Sequence, residues 1–235
     1  MDINAGRIKL FDLIEEAIDP QAELESGVYD LKHSTEKIFW QDILGSENYA
    51  PVVAKAASSA FTEHEGDANL LKFFISESGL DEQKKFESLL YWIGIWDARG
   101  AKIDGINAKV NLTYSEDAAT QKANKDSFEK LLNNLAKTGK LIRISNFDIK
   151  YVNAEGTNVS AKDITVDQRQ TLANYYAEVI QSYMSIIPHE LQAGICKLNM
   201  ADTSDPVGLW AVSKSKDWVR TSTYEAFCKA LSGNK

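Results

Sequence analysis

The chain has 235 residues, 44% hydrophobic and 26% charged, which is the balance of a folded globular domain with a substantial core. Its net charge of −8 argues against a nucleic-acid partner, because phosphate binding requires a basic surface. No apolar run reaches the roughly 20 residues that cross a bilayer. The opening Met1-Asp2-Ile3-Asn4-Ala5-Gly6 lacks the basic and apolar regions of a signal peptide. Cys196 and Cys228 form no metal-ligand pattern and are read as two buried free thiols.

Strands and helices alternate along the chain. Arg7 to Ile14 reads as a strand and Tyr49 to Phe61 as a helix. Leu70 to Ile75 is a short buried strand. A helix follows from an Asp81 N-cap to Arg99-Gly100, with Phe86, Leu89, Leu90 and Ile93 on one face. Ile103 to Leu112 is the third strand. The next helix carries Phe128, Leu131, Leu132 and Leu135 at the same spacing and stops at Gly139. Leu141 to Ile149 is the fourth strand. Thr165 and Gln168 form a capping box for a long helix through Tyr176, Val179, Ile180 and Tyr183, ending before Pro188. Gln192 to Leu198 is the fifth strand and Val219 to Leu231 the closing helix.

Successive βα units of this kind argue for an α/β fold, a parallel sheet with helices outside it. Glu23 to Lys37 and Tyr151 to Lys162 read as long loops after strands, where βα folds build their sites. No repeat or linker divides the chain, so residues 1–235 read as a single domain.

Several ordered motifs resemble glycoside hydrolase family 10, the endo-1,4-β-xylanases. Gly139-Lys140-Leu141-Ile142-Arg143-Ile144-Ser145-Asn146-Phe147-Asp148 is similar to the family's "TGKLVRISELD" strand. Phe11-Asp12-Leu13-Ile14-Glu15-Glu16-Ala17-Ile18-Asp19 resembles "WDVVNEAID". Phe39 to Gly45 resembles "WYQILG", Ala98 to Ile106 resembles "ARGVPIDGIG", and Pro206-Val207-Gly208-Leu209-Trp210 resembles "PVGLWD". The resemblance implies a (β/α)₈ barrel, of which this sequence carries the fourth to eighth βα units only. A full barrel takes about 250 residues.

The same resemblance assigns the site. Glu16 falls on the general acid/base, and Asn146 stands where the family has its nucleophilic Glu. An amide cannot replace that carboxylate, since a retaining glycosidase needs two carboxyl groups about 5 Å apart. Around them, Glu15 replaces a sugar-holding Asn and Glu77 falls in the "ND" of the fifth barrel strand. Lys109 and Asn111 take the places of "QxH", and Leu198 that of a strand-end Trp. Asp148 is either a substitute nucleophile or the supporting Asp that the family also has there. Glu16 is either a protonated acid or, with Glu15 and Asp19, a solvated acidic cluster. Asn146 either positions a sugar hydroxyl or caps a loop.

Indoles stack on the apolar faces of sugars, and Trp210, in the loop after the last strand, is the leading candidate platform. Trp92 and Trp96, four apart on a helix, read as packing residues, while Trp40 and Trp218 fit either role. His33, His64 and His189 have no zinc-ligand spacing, and there is no glycine-rich phosphate loop, so no metal or cofactor is expected.

The expected function is a degenerate xylanase-like module that binds a β-1,4-linked, xylan-type polysaccharide without hydrolysing it. The alternative is a glycoside hydrolase with Glu16 as acid/base and Asp148, Glu77 or Glu15 as second carboxylate. The resemblance implies a secreted, periplasmic or cell-surface location. A five-unit arc would leave two sheet edges open, so the chain is expected to self-associate or to recruit upstream barrel segments.

Overall fold

A computed structural model describes residues 7–233; the Met1–Gly6 stretch that lacks signal-peptide character lies outside the described residues. The chain folds into two compact units, Met1–Ala108 and Lys109–Lys235.

In the first unit, strand β1 (Leu10–Glu15) runs parallel to β4 (Lys72–Ser78), with Phe11 beside Phe73 and Glu15 beside Ser76. The register slips between Asp12 and Ile14. Strand β5 (Ile103–Ser115) lies on the other side of β4. Phe74, Ile75 and Ile106 are fully buried, and Gly105 has no side chain for a packing reason. A Cβ there would lie 2.2 Å from the Phe74 ring.

The helices of this unit are α1 (Trp40–Leu44), α2 (Tyr49–Glu63) and α3 (Gln83–Ala98). Phe86, Leu89 and Ile93 are buried, as their spacing predicts. Trp92 and Trp96 pack as a stacked pair 6.0 Å apart. Their indole N–H groups donate to Tyr29 O at 3.1 Å and Ser46 O at 2.9 Å. The Asp81 cap is corrected: α3 begins after Glu82, which makes no side-chain cap bond. Leu70 lies not in the strand but in a 3-10 turn, Ala68–Leu70, where Asp67 accepts the Asn69 amide at 2.9 Å.

The segment read as the loop Glu23–Lys37 contains half of a hairpin. Strand β2 (Ile18–Glu23) pairs antiparallel with β3 (Tyr29–Leu31) around Gly27, whose φ of 84° only glycine adopts freely. Ser88 of α3 accepts the Tyr29 amide at 2.8 Å and anchors the hairpin.

In the second unit, the far end of β5 lies beside β6 (Leu141–Val152), which runs parallel to β7 (Gln192–Lys197). Buried positions along β6 shift from Ile142 and Ile144 to Phe147, Ile149 and Tyr151. The extra residue in that alternation is a bulge, coinciding with the register break between Ile144 and Phe147. Asn146, inside it, takes a left-handed φ of 54°.

Helix α4 (Ala118–Ala136) buries Phe128, Leu131, Leu132 and Leu135. Helix α5 (Val166–Ile186) starts with the expected Thr165–Gln168 capping box and buries Tyr176, Val179, Ile180 and Tyr183. The closing helix is shorter than expected. Val219 belongs to a hairpin of β8 (Trp210–Val212) and β9 (Trp218–Arg220), and α6 spans Ser222–Leu231. The hairpin turn is fixed by Ser213 and Asp217, whose backbones bond at 2.9 Å. Cys196 and Cys228 are free but exposed, so the expected burial is corrected: each lies on the outward side of its strand or helix. No helix among the described residues is long and apolar enough to cross a membrane.

Candidate functional site

In the first unit the site is built where β1 ends. Glu15 is exposed on the last position of the strand, and the chain then turns through Glu16 with φ 51°. Glu16 is held from both sides of Glu77. Its amide donates to Ser76 O at 2.8 Å, and its Oε2 accepts the Ser78 hydroxyl at 2.9 Å.

Glu77 is 0% exposed. Its Oε1 lies 2.8 Å from Lys85 Nζ, and its Oε2 accepts the Ile18 amide at 3.2 Å. Burial first, then a hydrogen bond with Glu16, pushes the Glu77 carboxyl up to about 7, against the pull of Lys85. The sequence places Glu77 beside the sugar, but the structure buries its carboxyl against Lys85. Lys85 passes unmarked in the sequence reading. Its signal is a lysine on the buried face of α3, in helical register with Ser88, Leu89, Trp92 and Trp96.

Beside these carboxyls is a cavity of about 560 Å³, lined by Glu15, Glu16, Phe39, Trp40 and Tyr49 among others. That volume suits a small ligand. Trp40 is 60% exposed, which resolves its two readings in favour of a surface indole beside Glu15 and Glu16.

The second unit carries the other expected residues. Lys109, half-buried, and Asn111, exposed, stand two apart on β5. Asn146 is half-buried in the β6 bulge. Asp148 is fully engaged: Lys197 Nζ pairs with Oδ1, and Asn199 donates Nδ2 to Oδ2 at 2.6 Å and its amide to Oδ1 at 3.3 Å. Burial holds the Lys197 ammonium below the usual lysine range, and Asp148 opposes that shift. With both oxygens occupied, Asp148 has the geometry of a support. Leu198, in the strand-end Trp position, is 53% exposed.

Trp210 is half-buried on β8 and is framed by aromatic and cationic groups. Tyr224 meets it edge-on at 5.6 Å, and the Arg220 guanidinium lies 5.5 Å from its ring centre. The preceding Gly208 is obligatory, because a Cβ there would sit 2.1 Å from Asp202 N. Its amide donates to Asp202 Oδ1 at 2.8 Å, and Asp202 is paired with Arg169. Trp218, on β9, is 63% exposed. Among the described residues no group of three or more His, Cys, Asp or Glu could hold a metal ion.

Parallel strands that alternate with helices define an α/β protein of barrel type. Residues 1–228 match glycosyl hydrolase family 10, and the chain belongs to that family. No curated protein sequence matches it.

Solved xylanases share the fold. The family 10 xylanase from Bispora sp. MEY-1, solved with xylobiose, superposes with a TM-score of 0.66 at 13% identity over 98% of this chain and 64% of that one. An endoxylanase from a sugarcane soil metagenome gives 0.67 at 16% identity, over 99% and 66%. Native xylanase 10B from Thermotoga maritima gives 0.66 at 16% identity, over 99% and 63%. The fold is thus of the (β/α)₈ type, and the chain spans about two thirds of the length of these xylanases.

Proposed function

We propose that this chain is a xylanase-family module that binds a β-1,4-linked glycan of the xylan type and does not hydrolyse it. The carrying observation is Asn146 at the position where the family resemblance places the nucleophile. An amide forms no glycosyl-enzyme intermediate, and direct attack by water needs carboxyl groups set roughly 6.5–9.5 Å apart. Glu77 is buried and lies 2.8 Å from Lys85 Nζ, so its carboxyl is not presented to a sugar. Asp148 is committed to Lys197 and Asn199. These observations weigh against a hydrolase with a substituted second carboxylate.

In this reading Glu16 and Glu15 meet sugar hydroxyls, and Lys109, Asn111 and Asn146 extend the polar contacts. Trp210 and the exposed Trp40 supply indole faces. Residues 1–235 act as one glycan-binding domain, completed by further barrel segments or by self-association. In keeping with its family, the domain is secreted, periplasmic or displayed on the cell surface, where polysaccharide is met.

Affinity electrophoresis through xylan, other β-glucans and mannan tests binding. Retardation by xylan that weakens in Trp210→Ala supports the reading, and no retardation by any polysaccharide overturns it. Reducing-sugar release from xylan that Glu16→Gln abolishes would overturn the non-hydrolytic part.

A further inference from the structure

The β8–β9 hairpin is basic in a chain that is otherwise acidic. From Ser213 to Arg220 it sets Lys214, Lys216 and Arg220 against one acid, Asp217, while the whole chain carries −8. Asp217 is engaged inside the turn, where it accepts the Ser215 hydroxyl at 2.7 Å. Among the described residues, Lys214, Lys216 and Arg220 form no ion pair.

The strand pairing sets Trp210 opposite Arg220 and Val212 opposite Trp218. Positions two apart on a strand share a face, so both pairs lie on one side of the hairpin. There the Arg220 guanidinium rests on two rings, 5.5 Å from the Trp210 centre and 4.4 Å from that of Tyr224. The rings hold the group in place and leave its N–H edge open. About 7 Å along the strand, Trp218 is 63% exposed, and Val212 across from it is also exposed. An indole face takes the apolar side of a sugar ring, and a guanidinium fork matches a carboxylate with two parallel bonds.

We propose that this hairpin binds a glycan bearing carboxylate groups, with Trp218 stacked on a sugar ring and Arg220 on the carboxylate of a uronic acid side group. The inference rests on the glycan-binding reading above and narrows its ligand to an acidic polysaccharide. None of Val212, Trp218 and Arg220 belongs to the motifs that carry the family resemblance. Lys214 and Lys216, exposed at the turn, add to the attraction. A lipid surface would use the turn alone, whereas Arg220 and Trp210 form the pair farthest from it.

Isothermal titration calorimetry of the full chain tests this with two probes. One is a xylo-oligosaccharide carrying a single glucuronic acid side group. The other is the same compound with that carboxyl reduced to an alcohol. The acidic probe is expected to bind about fivefold tighter at low salt, the scale of an exposed ion pair. A chain of net charge −8 repels anions as a whole, so a preference of this sign is local. Arg220→Gln is expected to remove the preference and keep the affinity for the reduced probe. Trp218→Ala, at an exposed position, is expected to weaken both probes alike, and it keeps the test readable if Arg220→Gln does not fold. Equal affinity of the wild type for the two probes overturns the proposal and leaves glycan binding standing. A preference that survives Arg220→Gln overturns it too, as do affinities that Trp218→Ala leaves unchanged. Binding of neither probe also overturns it, and the electrophoresis then decides the glycan-binding reading by itself. Cosedimentation with phosphatidylserine vesicles, together with no preference between the probes, assigns the hairpin to a lipid surface instead.

Discussion

Asn199 donates its side-chain amide to Asp148 Oδ2 at 2.6 Å, while Lys197 holds the opposite carboxyl oxygen. The Lys197 side chain is only 5% exposed, so Asp148 is its counter-charge as well as its acceptor. Asp148→Asn is therefore expected to lower stability by about 3 kcal/mol, the usual effect of leaving a buried charge without its partner. Denaturant unfolding of wild type and variant measures it, and a loss below about 1 kcal/mol would contradict the assignment.

A second expectation concerns pH. The Glu77 carboxyl rises from 4.5 to about 7 on folding, so the folded chain holds more protons than the unfolded one between those values. Stability is then complete below the lower value and falls as pH rises through the window, by at most about 3 kcal/mol. Unfolding midpoints taken from pH 5 to pH 8, where the window lies, should decline steadily. Asp42, Glu116 and Asp117, whose carboxyls are lowered by hydrogen bonds, lose their contribution only at more acidic pH. A profile that rises toward pH 8 would refute the burial of Glu77.

The backbone at position 146 gives a third expectation. With φ at 54°, Asn146→Gly should change stability by less than about 0.5 kcal/mol, whereas Asn146→Ile should cost about 1–2 kcal/mol. Thermal melts of the two variants compare them directly, and equal melting points would mean that the turn is not left-handed in solution.

Tyr176 supplies a fourth. Its buried hydroxyl accepts the Ile149 amide at 2.8 Å and donates to Val207 O at 3.1 Å, joining β6 to the segment before β8. Tyr176→Phe leaves both groups unpaired and should cost about 2 kcal/mol. Hydrogen exchange at the Ile149 amide should accelerate with it; unchanged protection would show that another acceptor takes over.

The long elements were readable because their signals are local. The Thr165–Gln168 box and the Phe128–Leu135 and Tyr176–Tyr183 faces lie within one or two helical turns, and the structure keeps each of them. The two hairpins were not, because their short strands depend on partners elsewhere in the chain. Tyr29 is fixed by Ser88, and Trp218 pairs with Val212 across a turn. Val219 carries an apolar pattern that also suits a helix, and only that pairing decides between the two.

The site divides in the same way. Glu16 and Asn146 stand out through motifs that are contiguous in sequence. The partners that define their neighbours come from other elements: Lys85 for Glu77, and Lys197 and Asn199, about fifty residues on, for Asp148. The thiols misled for a simpler reason. Apolar neighbours surround Cys196 and Cys228 in sequence, but a side chain's direction follows the strand or helix face.

Glu16 and Asn146, the residues proposed to stand at the positions of the family's two carboxylates, both sit on left-handed backbone, at φ 51° and φ 54°. Asparagine is several-fold enriched in that conformation, whereas glutamate has no local bonding to favour it. A glutamate at position 146 would therefore hold strain that asparagine releases, so Asn146→Glu should lower the melting point as it restores a carboxylate. At position 16, where a carboxyl still has hydrogen bonds to make, the strained glutamate remains.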